Sequence, residues 1–282
     1  MSPPSQEPDQ WTVLAHAVSR VLGWSYVLCW GISFYPQLLS NIKRRSVTGL
    51  ALDYFVLNVV GFACYTVSCI AFLFFPVVRK EYADRHPDAP EPTVRGNDLA
   101  FAAHALVISM ITLSQFWTSL WGYERHPTQK MSRPMKAFVA GCFAVVGISC
   151  ACVDSDSWGW IDVVYTLTTL KLAISLLKYT PQFRLNYLRK STVGWSIENI
   201  LLDFSGGLLS LLQLLLDSSL QSDWSGVTGN PVKFFLSLIA MGFDLAFMWQ
   251  HYVLYRVKGE GEEVEGERRG LLAQEERGDA TV

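Results

Sequence analysis

Five ionisable side chains stand inside, or at the mouth of, apolar stretches: Asp98, Lys171, Lys178, Asp203 and Asp244. A charge in hydrocarbon costs about 2.5–3.5 kcal/mol even on the lenient insertion scale, so each needs a partner or a purpose. Burial disfavours the charged form of a carboxyl group. An acid away from water can therefore take a proton from an acidic compartment and release it into a neutral one. A nearby lysine shifts that balance, because a side-chain carboxylate and the carboxylate of a solute compete for the same cation. Together these residues predict proton-coupled movement of a charged solute. Lys171 and Asp244 lie in mid-helix, where a static buried ion pair is the competing reading. Lys178 lies near a helix end, where snorkelling to the surface is the alternative.

Covalent and metal chemistry find no comparable footing. His16, His86, His104, His126 and His251 show no metal-ligand spacing. No nucleophile elbow or phosphate-cradling glycine loop is present, so neither an enzyme nor a metal or organic cofactor is expected, the proton being the coupling ion. Cys29, Cys64, Cys69, Cys142, Cys150 and Cys152 fall within or at the end of apolar runs, as small free thiols do.

The elements that must position these groups follow from composition. Of 282 residues 50% are apolar and 17% charged, against roughly a quarter charged in ordinary soluble domains. A bilayer core takes about 20 mostly apolar residues per helix. Such runs recur at 13–35, 52–78, 99–123, 137–153, 160–180, 200–220 and 234–255, which predicts about seven transmembrane helices. Lys43, Arg44, Arg45, Arg125, Lys130, Arg133, Lys136, Arg184, Arg189, Lys190, Arg256 and Lys258 mark one alternating set of connections. That bias predicts a lumenal N-terminus and a cytosolic C-terminus. The charged, Gly-rich tail is predicted to be disordered. It contains "ERRGLL", in which Glu267 precedes Leu271 and Leu272 at the spacing of an acidic dileucine sorting signal read by adaptors. A Leu-Leu pair without function in a solvated tail is the other reading.

The chain also repeats itself. Displaced by 145 places (181 − 36), Pro36-Gln37 meets Pro181-Gln182, Asn41 meets Asn186, Gly49 meets Gly194 and Gly61 meets Gly206. The same displacement sets Asn58 opposite Asp203. It spans about four helices, an even number of crossings, so the two copies run the same way through the membrane as a parallel repeat. Transporters built on parallel repeats bind substrate between the halves, and one chain already supplies both, which predicts a functional monomer. Proline removes a backbone donor and kinks a helix, so the duplicated Pro-Gln pairs read as paired hinges; plain helix ends are the alternative. Gly61, Gly206 and Gly207 read as packing residues.

The runs "SFYPQLLSNIKRRSVTGLALDYFVLNVVGF", "NDLAFAAHA", "KYTPQFRLNYLRKSTVGWSIENILLDFSGG" and "FDLAFMWQHYVLY" resemble the cystinosins of the PQ-loop group from about residue 22 to 256. The resemblance implies an all-α integral membrane protein of seven helices. Their expected 3+1+3 order, the SWEET-like arrangement, is a lumenal N-terminus at 1–11, a three-helix bundle at 12–123, a linker with the fourth helix at 124–158, a second bundle at 159–256 and a cytosolic tail at 257–282. It implies proton-coupled export of L-cystine from the lysosome or vacuole. Carried over position by position, Asn58, Lys171, Asn199 and Asp203 bind cystine with help from Trp30, Phe34, Lys178 and Tyr179. Asp203 leads proton coupling, with Asp98 and Asp244 as further acidic elements. Gln37 and Gln182 belong to the motifs, and the role of Asn41 and Asn186 stays open. Beyond cystine, protons and sorting adaptors, membrane lipid is the expected partner and nucleic acid is not. An exporter of cationic amino acids from the same group would want a more acidic cavity. A seven-helix receptor would lack the parallel repeat.

Overall fold

An apolar run in a bilayer must satisfy its backbone internally, and a single segment does so only as a helix. The computed structural model describes residues 10–87, 90–92, 94–153, 158–221 and 231–256. Glu267, Leu271, Leu272 and Lys258 lie outside them, as do the first nine residues. Among the described residues eleven α-helices follow in order: α1 Gln10–Ser33, α2 Tyr35–Arg44, α3 Leu52–Phe74, α4 Pro76–Arg85, α5 Gly96–Ser114, α6 Thr118–Trp121, α7 Arg133–Ala151, α8 Trp160–Leu177, α9 Tyr179–Arg189, α10 Ile197–Gln221 and α11 Pro231–Trp249. A π-helical turn, Gln250–Leu254, continues the last. No strand occurs among the described residues; an isolated parallel bridge joins Ser46 and Glu124.

Among the described residues five stretches are long and apolar enough to cross a membrane: α3, α5, α7, α8 with α9, and α10. The first and last predicted spans correspond to α1 and α11, which have spanning length at 24 and 19 residues. The third span is shorter than its apolar run. The helix ends at Ser114, and Thr118–Trp121 forms a separate turn.

Both Pro-Gln motifs lie just past a break in the helix assignment, at Phe34 and Lys178. Neither proline ends its helix: Phe34 (φ −74°, ψ −22°) and Lys178 (φ −57°, ψ −32°) keep right-handed torsions, and helix runs on to Arg44 and Arg189. Proline crowds the preceding turn, and each break sits upstream of its proline, at Phe34 before Pro36 and at Lys178 before Pro181. Beyond each segment the backbone repeats in detail. Arg45 (φ 49°) and Lys190 (φ 54°) are the two non-glycine residues with positive φ among the described residues, and Gly49 (φ 88°) and Gly194 (φ 97°) follow at equivalent places. Identical departures from ordinary backbone at a fixed offset are a structural signature of duplication.

Two compact units result. One comprises residues 1–33 and 197–248, the other 34–196 and 249–282. Each draws helices from both copies of the repeat. In the first, α1 packs along α10. In the second, α3 is central, against α5, α7, α8 and α9. Leu57, Cys142 and Ile174 form the α3–α7–α8 core, and Ala71, Phe72, Val78, Ile161 and Val164 join α3, α4 and α8. Carboxylates hold helix starts, where unpaired N–H groups and the helix dipole favour them. Asp98 accepts from Arg95 N at 2.7 Å and Glu81 from Ile161 N at 2.7 Å. Arg85 and Asp162 make a two-pronged ion pair, both contacts 2.6 Å. Between α6 and α7 a strap covers the first Gly loop: Gln129 donates to Val47 O and Leu50 O at 2.7 and 2.8 Å, and Ser132 N donates to Asp53 at 2.9 Å.

Candidate functional site

In the second unit five of the predicted site residues gather around α3, α8 and α9. Asn58, 7% exposed, is held from both sides. Its Nδ2 donates to Ser109 Oγ at 2.8 Å, and its Oδ1 accepts from Lys178 Nζ at 3.2 Å. That ammonium lies 4.7 Å from the Tyr179 ring centre and 5.8 Å from that of Tyr54. Lys178 thus turns to buried polar and aromatic partners, and snorkelling does not describe it. Lys171 Nζ donates to Ser175 Oγ at 2.7 Å and stands 5.2 Å from the Phe62 ring centre. Phe34 meets Phe62 edge-on at 5.3 Å. Two ammonium groups seven residues apart thus meet hydroxyl, amide and ring faces.

In the first unit Asn199 and Asp203 lie one helical turn apart on α10, hence on one face. Trp30 of α1 donates its indole N–H to the Asp203 carbonyl at 3.3 Å. Gly206 makes room for that ring: a Cβ there would stand 2.5 Å from Trp30 Cδ1 and 2.6 Å from Nε1. Gly61 and Gly207 likewise admit Ile174 and Met241 at 3.0 and 3.1 Å. Asp244 is 3% exposed in α11. We expect Gly206→Ala to destabilise the folded protein by about 1–3 kcal/mol through overpacking. The penalty should vanish when Trp30 is also replaced by alanine, which a double-mutant cycle of thermal unfolding in detergent would measure. An unchanged penalty would show that Gly206 serves some other contact.

The Pro-Gln glutamines do something spacing could not reveal. Gln37 Nε2 donates to Gly194 O and its Oε1 accepts from Ser196 N, at 2.9 and 2.8 Å. Gln182 Nε2 donates to Gly49 O and its Oε1 accepts from Ala51 N, at 3.0 and 2.7 Å. Each glutamine therefore grips the loop of the other copy. The same Nε2 atoms donate within their own helices to Asn41 Oδ1 and Asn186 Oδ1, at 2.9 and 2.8 Å. Gly49 and Gly194 are obligatory at this crossing, since a Cβ on either would meet a backbone carbonyl of the opposite loop, Val193 O or Thr48 O.

The PQ loop repeat family matches residues 18–78 and 163–223, one match per copy. Over 246 residues the chain is 41% identical to a cystinosin homolog of Arabidopsis thaliana, covering 85% of this chain and 86% of that one. The chain belongs to the cystinosin family. A cystinosin homolog of Dictyostelium discoideum is 40% identical over 85% of this chain and 82% of its own. A protein of Saccharomyces cerevisiae named cystine transporter is 27% identical over 86% of this chain and 96% of its own. The yeast relative's name is that of a transporter, not of an enzyme. Within this cystinosin-family chain, sequence reasoning singled out Asn58 and Lys171 and missed the hydroxyls they meet, those of Ser109 and Ser175; it also missed Gln115 and Gln250, which bond Asn41 and Asn186. Ser109 and the two glutamines interrupt or close apolar helices and are at most 4% exposed, so the rule applied to charges, extended to neutral polar side chains, would have found them.

Proposed function

We propose that this chain exports L-cystine, together with protons, from the lysosome or vacuole by alternating access. Cystine carries two carboxylates and two ammonium groups. The observation that carries the reading is the pair Lys171 and Lys178, seven residues apart, whose ammonium groups reach Ser175 Oγ and Asn58 Oδ1. Such cations suit a substrate carboxylate and disfavour a cationic amino acid. Asn199 and Asp203 take the role of holding an ammonium group. Trp30, Phe34 and Tyr179 keep the assisting role in binding that the resemblance gives them. Asp203 is the leading proton carrier, and buried Asp244 is a second. Asp98 keeps a place in the proton cycle only if it leaves its bond to Arg95 N. The names of the relatives support cystine as the solute. The basic connections support a cytosolic C-terminus, which leaves Glu267, Leu271 and Leu272 accessible to adaptors, and the internal repeat supports a working monomer in lipid.

The deciding experiment is uptake of labelled cystine into cells or vesicles bearing the protein, with its lumenal side acidified. Saturable uptake that rises with acidity and withstands excess lysine or arginine is expected. Transport of a basic amino acid in its place would overturn the substrate while leaving the fold untouched.

A further inference from the structure

The two exchanged clamps each end in a third amide. Asn41 Nδ2 donates to Gln115 Oε1 at 2.7 Å, and Gln115 Nε2 donates to Leu38 O at 3.3 Å. In the other copy Asn186 Nδ2 donates to Gln250 Oε1 at 3.1 Å, and Gln250 Nε2 donates to Phe183 O at 3.1 Å. Leu38 and Phe183 are equivalent under the repeat (183 − 38 = 145), but Gln115 and Gln250 are not (250 − 115 = 135). They reach equivalent positions from different backbones: Gln115 follows the end of α5, and Gln250 opens the π-helical turn after α11. Such π-turns are rare and are found frequently at functional sites.

Direction matters in such a chain. A side-chain amide can donate at one end and accept at the other, whereas a backbone carbonyl only accepts. Leu38 O fixes which way Gln115 faces. Gln115 then presents its oxygen to Asn41, Asn41 presents its own oxygen to Gln37, and Gln37 is left with one N–H for Gly194 O and its oxygen for Ser196 N. The second copy runs the same way from Phe183 O to Gly49 O and Ala51 N. All six amides, Gln37, Asn41, Gln115, Gln182, Asn186 and Gln250, are no more than 5% exposed, so a misdirected one would leave a buried polar group unmet.

We propose that Gln115 and Gln250 are positioning residues of a crossed latch, each setting the aim of one Pro-Gln glutamine at the loop of the opposite copy. On the transport reading above, on which this significance rests, the latch keeps the basic end of the second unit shut and must open for release.

Hydrogen–deuterium exchange of the full chain in detergent or nanodiscs tests the aim directly, because Ser196 N–H and Ala51 N–H are themselves latch donors. Gln115→Met should speed exchange in peptides covering Ser196 by about five- to tenfold, the loss of one neutral hydrogen bond, and leave those covering Ala51 unchanged. Gln250→Met should do the reverse. Gln115→Glu, which keeps the acceptor for Asn41, should retain more protection at Ser196 than Gln115→Met. Loosening of each variant's own loop, or of both loops equally, would reduce the two glutamines to ordinary packing and overturn the proposal; unaltered exchange in both variants would overturn it too. The readout involves no cystine, so failure of the substrate reading would leave this result standing, and the converse holds.

Discussion

Asp203→Asn should bring acid-driven net uptake of cystine down to the level of vesicles without the protein, while exchange of cystine across the membrane at equal pH continues. The amide has the size of the carboxyl and can neither take up nor release a proton. A cycle that must load and unload a proton with each net turnover therefore stops, whereas exchange, which needs no empty return, does not. The substitution leaves the Trp30 bond in place, because the indole donates to the backbone carbonyl of Asp203 and not to its side chain. The α1–α10 contact is thus expected to survive, and thermal unfolding in detergent serves as the control for folding. Uptake by the asparagine variant that still rises steeply with acidity would move proton coupling elsewhere, and Asp244→Asn would then be the next variant to measure.

Gly194→Ala should cost the protein much of its thermal stability. Its φ of 97° lies in the region that L-residues avoid, a penalty of roughly 1–2 kcal/mol in the left-handed region alone. The new methyl would also meet Thr48 O and stand 2.9 Å from Arg44 and 3.3 Å from Gly49 Cα. Two of those obstacles are backbone, so the relief available is separation of the two loops, which breaks the bonds of Gln37 to Gly194 and Ser196. Gly147→Ala provides the contrast: it lies within α7 with nothing within 4 Å of the added carbon, and alanine is favoured over glycine in a helix by up to about 1 kcal/mol. Unfolding in detergent should therefore show a large drop for Gly194→Ala and little change or a small gain for Gly147→Ala. Equal midpoints for the two variants would show that the loop crossing does not limit stability.

The charges and the repeat were legible because both are local or periodic properties of the chain. Lys171, Lys178, Asp203 and Asp244 stand out against apolar neighbours, and Gly49 and Gly194 announce themselves by recurring 145 places apart. The neutral supports were not legible. Ser109 reads as one small residue among others in an apolar helix until its hydroxyl is found on Asn58. Gln115 and Gln250 escaped the repeat because their offset differs by ten residues and the backbone compensates. For Lys178, whose alternative reading was snorkelling to the surface, only the structure shows the bond to Asn58.

The sequence by itself determined that the chain is helical and spans a membrane, since long apolar runs leave the backbone no other way to bond. It also determined that the fold is made of two like copies and which of its polar residues are costly enough to require a purpose. Only the tertiary structure decided which distant groups those residues meet. Gln37 finds its loop partners 157 and 159 residues away in the other copy, and Trp30 finds the α10 carbonyl that Gly206 leaves accessible. Periodicity encodes neighbours one helical turn apart. Partners across the fold depend on how helices pack and loops close, and the identity of a single residue carries no record of that.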